Sequence, residues 1–117
     1  MAFDETYEAD GFKWGVIETD GAQTDTVLIA APGAGKFIQV VRAYVSKQTA
    51  GEIRLEDEDD NLVAGWVLSS GGFGHFEVPG DASGAGGVKL PANKALELDS
   101  TAAGAAFVNV LYRIVSS

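Results

Sequence analysis

The sequence predicts an all-β domain: an antiparallel β-sandwich, jelly-roll-like, of about eight strands with an extended N-terminal arm. Two observations carry this reading. Short apolar runs rich in Val, Ile, Leu and aromatic residues recur from residue 12 to the end. Between them fall most of the 15 glycines and the three prolines, Pro32, Pro79 and Pro91, where turns need them. No helix candidate of ten residues is present.

Strands are expected at 12–18, 25–31, 36–46, 51–57, 62–68, 73–78, 88–90, 95–99 and 106–115. Alternation assigns their faces. Ile53 and Leu55 oppose Glu52, Arg54 and Glu56, and Leu96 and Leu98 oppose Glu97 and Asp99. In the last strand Val108, Val110, Tyr112 and Ile114 share one face. The expected core includes Ile53, Leu55, Leu96, Leu98, Val108, Val110 and Ile114.

Two strands are apolar on both sides. In 106–115 the second face holds Phe107, Asn109, Leu111, Arg113 and Val115. In 36–46, Phe37, Gln39, Val41, Ala43 and Val45 alternate with Ile38, Val40, Arg42 and Tyr44. Such strands are covered on both sides, so Phe37, Arg42, Tyr44, Phe107, Leu111 and Arg113 are candidates for a subunit interface. Arginine is enriched in interfaces, although a lone arginine also snorkels from a sheet edge.

Residues 1–11 show no sustained period and read as an arm ahead of a sandwich domain over 12–117. The arm is acidic. Residues 1–35 hold seven acids and one base, and residues 36–117 hold ten acids and seven bases, within a net charge of −9. Phe3, Asp4, Glu5, Tyr7, Glu8 and Asp10, with Trp14 directly after the arm, are the candidate partner-binding residues. The aromatics would anchor and the acids would steer.

This charge balance argues against nucleic acid and against an anionic membrane surface as partners. The chain shows neither a targeting segment nor an apolar run of bilayer length and is expected to be soluble. The absence of cysteine removes disulfides, thiolate metal sites and a cysteine nucleophile.

Chemistry-bearing patterns are few. Residues 30–37 superficially resemble a phosphate loop, but Ala30 and Phe37 stand where glycine and serine or threonine are required. His75 is the sole histidine, with Glu77 its nearest acid in sequence. The acidic run from Glu56 to Asn61 suits a hairpin turn. Its carboxylates could also wrap a hard cation, but it lacks the spacing of a calcium loop. Trp66 reads as a core or interface residue. No catalytic, cofactor or metal residue is assigned, and the chain is expected not to be an enzyme.

The turn Pro32-Gly33-Ala34-Gly35-Lys36, the long doubly apolar strand after it, the segment from Leu90 to Leu98 and the final Val-x-Val-x-Tyr strand together resemble small β-sandwich structural proteins of tailed bacteriophages. Among these the chain is most similar to capsid decoration, or cement, proteins. The resemblance covers residues 24–115. It implies a homotrimer on the outer surface of the virion's capsid, made in the host cytoplasm, whose partners are the major capsid protein lattice and its own copies. It implies no cofactor. A tail-fibre or adhesin module that binds a host receptor or glycan is the alternative.

Overall fold

The computed structural model describes residues 4–9 (as backbone), 11–77 and 87–116. Ten strands are formed: β1 (Asp4–Ala9), β2 (Phe12–Asp20), β3 (Gln23–Ile29), β4 (Lys36–Lys47), β5 (Gly51–Asp57), β6 (Leu62–Leu68), β7 (Phe73–Glu77), β8 (Val88–Lys89), β9 (Leu96–Ser100) and β10 (Ala105–Ser116). They make two antiparallel sheets. The larger has the order β1-β2-β10-β4-β7, with β8 also paired to β4, and the smaller has the order β3-β9-β5-β6. The described residues contain no helix, so none is long and apolar enough to cross a membrane.

Among the described strands, β1–β2 and β5–β6 are hairpins between sequence neighbours, β7 and β8 both pair with β4 in the larger sheet, and the remaining steps pass from one sheet to the other. The glycine-rich turn at 32–35 and the turn at 100–105 are therefore crossovers between layers. Asn93 ties two of the sequence motifs together. Its side-chain oxygen accepts from the Gly33 N–H at 2.9 Å, and its own N–H donates to the Lys36 carbonyl at 2.8 Å. With φ at +54°, Asn93 occupies the left-handed region that asparagine tolerates.

The core lies between the sheets. Ile17, Ile38, Val40, Ala43, Val45, Val108, Val110 and Tyr112 enter it from the larger sheet, and Ile53, Leu55, Leu96 and Leu98 from the smaller. Six of the seven expected core residues are buried. The exception is Ile114, which keeps the inward alternation of β10 but is 37% exposed near the end of that strand.

Strand β4 departs from the alternation read from sequence. Leu111 of β10 faces Arg42 while Tyr112 faces Val40, so Val41 is an extra residue in a β-bulge. The bulge switches parity in mid-strand. Ile38 and Val40 point inward before it, and Ala43 and Val45 point inward after it. The two-sided apolar character inferred for 36–46 thus arises largely because one core face changes its counting frame. No such switch occurs in β10, which pairs with β2 from Ala105 to Arg113 and with β4 from Ala106 to Ser116 and keeps apolar residues on both sides.

The segment expected as an irregular arm also differs. Asp4–Ala9 runs as strand β1 along β2, with a register shift between Glu5 and Tyr7. Alternation of apolar and polar residues is too weak there to announce a strand, and β1 gains its order from the exposed edge of β2.

Trp66 closes one side of the sandwich. Its indole Nε1 donates to the His75 carbonyl at 3.2 Å, linking β6 of one sheet to β7 of the other. Gly74 makes room for the ring, since a Cβ at that position would lie 2.4 Å from Trp66 Cδ1.

Val110→Ala should cost about 1–3 kcal/mol in urea unfolding, because Val110 is fully buried and leaves a cavity. Ile114→Ala should cost clearly less. Gly74→Ala should displace Trp66 and shift its fluorescence, with a loss of about 1–3 kcal/mol from overpacking.

Candidate functional site

The outer face of the larger sheet collects most of the candidate residues. Registered cross-strand partners share a face, which places Trp14 beside Leu111, Leu111 beside Arg42, Asn109 beside Tyr44, and Tyr44 beside His75. Phe107 lies between Glu18 and Ser46, and Arg113 between Phe12 and Gln39. All six candidate interface residues, Phe37, Arg42, Tyr44, Phe107, Leu111 and Arg113, therefore stand on one surface with Trp14.

This surface is unlike the usual wet side of a sandwich. Tyr44 and Phe107 are each 41% exposed and Phe73 is 82% exposed. Ring centroids run Trp14 to Tyr44 at 6.2 Å and Tyr44 to His75 at 6.3 Å. The basic groups are fixed onto the same layer. Arg113 sits 5.1 Å over the Phe12 ring and donates from Nε to Gln39 Oε1 at 2.7 Å, and Lys89 lies 4.3 Å over Phe37. Arg42 is paired with Glu77 at 2.9 Å. The two readings of the arginines, interface or snorkelling, thus share one geometry: both guanidinium groups lie along an apolar surface.

Of the arm candidates, Asp4, Glu5, Tyr7 and Glu8 lie in β1, where Tyr7 registers with Trp14 and Asp4 with Val16. Phe3 and Asp10 lie outside the described residues.

The outer face of the smaller sheet exposes the aliphatic Val27, Leu62 and Val67 but no aromatic layer, and it gathers acids. Asp25 of β3, Glu56 of β5, Glu97 and Asp99 of β9, and Asp60 of the β5–β6 turn converge there. Carboxylate oxygens of Asp25, Glu56 and Asp99 lie within 4.8 Å of one another, as do those of Asp25, Asp60 and Glu97. Asp25 has φ +48°, and its N–H donates to Asp99 Oδ1 at 2.5 Å. A shallow groove of ≈ 410 Å³ opens alongside, lined in part by Gln23, Glu52, Arg54 and Asp99.

The acidic run of the sequence is divided among several tasks. Asp57, almost fully buried, accepts from the backbone N–H groups of Asp59 and Asn61 and from the Asn61 amide. Burial works against its charge, but these hydrogen bonds outweigh burial and hold the carboxyl below its ordinary range. Glu58 accepts from the Ala95 N–H at 2.9 Å, and Asp59 pairs with Lys94 at 3.0 Å. Glu56 and Asp60 are left to the cluster. The hydrogen bond with Asp99, then burial and the Asp99 charge, push Glu56 up to about 7 against the opposing pull of Arg54. Asp25 and Glu97 are raised too, each by loss of solvent first and by neighbouring acids next.

Chemically, such a cluster shares protons or takes a hard cation. Each residue of either triad offers one carboxylate oxygen to such an ion. Sequence reasoning missed this grouping because Asp25, Glu56 and Asp99 meet only through β3-β9-β5 pairing.

No protein-family model and no curated protein matches the chain. Solved structures with a similar course of the chain include the cupin domain of Schizosaccharomyces pombe Cnp3 (TM-score 0.45, 11% identity, 95% of this chain and 59% of that one). Others are the capsular polysaccharide assembling protein CapF of Staphylococcus aureus (0.40, 9%, 97% and 29%) and protein NMB1881 of Neisseria meningitidis (0.37, 7%, 97% and 86%). The chain thus spans 59% of the Cnp3 domain structure and less than a third of CapF. At these scores the likenesses carry no functional argument.

The raised Glu56 carboxyl gives a signed pH dependence. The native state keeps this proton up to about pH 7, whereas the ordinary value is 4.5, so the native state binds more protons between the two. Its contribution to stability should be full below about pH 4.5 and be lost as pH rises through about 7. Thermal unfolding of metal-free protein should show Tm falling across that window. Asp99→Asn keeps an acceptor for the Asp25 N–H, removes the charge, and should flatten the fall. An unchanged slope in that variant would contradict the coupling.

Proposed function

We propose that the protein is a structural, non-catalytic module whose copies associate through the outer face of the larger sheet, and that the associated copies bind a repetitive protein lattice. The supporting observation is the aromatic layer of Trp14, Tyr44, Phe107 and Phe73 around Leu111, on a side where an antiparallel sandwich ordinarily presents polar residues to water. Exposed apolar patches of this kind mark interaction surfaces. The lattice is the head of a tailed bacteriophage, which the module decorates from outside; this part rests on the sequence resemblance alone. Several copies held together gain avidity only where matching sites are spaced on an assembled shell.

Co-sedimentation with empty capsids, beside a pull-down of unassembled capsid subunits, tests the reading. The assembled shell should be bound roughly a hundredfold more tightly. Leu111→Glu, on the outer face, should abolish that binding while leaving the urea midpoint near that of the unaltered protein. Equal affinity for shell and subunits would contradict the reading. A second reading, a tail-fibre or adhesin module, is favoured by the ring succession Trp14–Tyr44–His75 with Asn109 beside it. Specific glycan binding without capsid binding would select it.

A further inference from the structure

The aromatic face is polar along its strands. At one end Glu18 and Asp20 of β2, both exposed, register with Phe107 and Ala105. At the other end Arg113 and Lys89 are held over Phe12 and Phe37. Arg113 lies six positions beyond Phe107, about 20 Å along the strand. Between these ends the face is apolar around Leu111, and the ion pair of Arg42 with Glu77 within it balances itself. Among the described side chains, two acids and two bases therefore sit at opposite ends of this layer.

We infer that this face is the contact of a two-fold dimer, in which a second copy lies face to face with its strands reversed, so that the acidic end of each copy meets the basic end of the other. A two-fold axis across the strands, level with Val110, produces this match. The midpoint between Phe107 and Arg113 falls there, and Asn109 and Leu111 of the two copies meet near the axis. The contact is isologous, so every favourable charge pair occurs twice. Copies arranged around an axis parallel to the strands instead bring like ends side by side, acid next to acid and base next to base. The inference rests on the self-association proposed above, and it departs from the three-fold arrangement that the resemblance implies.

Sedimentation velocity of the full chain over a concentration series, at low and high salt, is the first measurement. A dimer weakened by salt is expected. Two paired variants then test the geometry. Glu18→Lys with Asp20→Lys makes both ends basic, and Lys89→Glu with Arg113→Glu makes both ends acidic. Each alone should weaken self-association at least roughly tenfold through like-charge contact. An equimolar mixture should restore a dimer of near-normal strength. Should Arg113→Glu disturb folding by circular dichroism, Lys89→Glu alone replaces the second variant in the mixture. Failure of the mixture to re-associate overturns the two-fold match. A trimer of the unaltered protein also overturns it, while leaving the self-association reading in place. A monomer at high micromolar concentration overturns both.

Discussion

Strand β10 is the constraint on which both faces of this protein depend. It is hydrogen-bonded to β2 on one edge and β4 on the other, so it is held in the middle of the larger sheet. Its inward residues, Ala106, Val108, Val110 and Tyr112, form the floor of the core. Its outward residues, Phe107, Asn109, Leu111 and Arg113, are presented rigidly because the inward set is locked by packing. The bulge at Val41 completes the arrangement. It keeps the core face of β4 continuous and sends Arg42 and Tyr44 outward beside Leu111 and Asn109.

The sandwich therefore carries two contrasting exteriors. The larger sheet shows aromatic rings with cations laid over them, and the smaller shows converging carboxylates. Burying a large apolar side chain is worth about 1.5–3 kcal/mol. Five such residues per copy, most of them already half-covered, give on the order of 10 kcal/mol across a two-copy contact. Association costs about 4–15 kcal/mol. Hydrophobic gain and entropic cost are thus comparable, and the charged ends of the face decide which arrangement prevails.

The fold was legible because turn residues and β-branched runs punctuate the chain clearly: β2 through β10 lie where the apolar runs stand. Three features were not legible, each for a physical reason. A period of two cannot register the extra residue of a bulge, so β4 was assigned inconsistent faces. Strand β1 has a sequence, Asp-Glu-Thr-Tyr-Glu-Ala, with no continuous apolar side, and it exists as an edge added to β2. The carboxylate cluster spans residues 25 to 99, and only sheet pairing reveals it. On β10, alternation alone places Phe107, Leu111 and Arg113 outward, whereas Phe37 joins Arg42 and Tyr44 on that face only through the bulge at Val41.

Solvent accessibility measured against protein concentration bears most directly on the claim that the aromatic face is a working contact surface. Hydroxyl-radical labelling of Trp14, Tyr44 and Phe107 should fall as concentration rises through the association range. Leu62 and Val67, exposed on the smaller sheet, should keep constant labelling. Protection of Leu62 and Val67 with Trp14, Tyr44 and Phe107 unchanged would contradict the account.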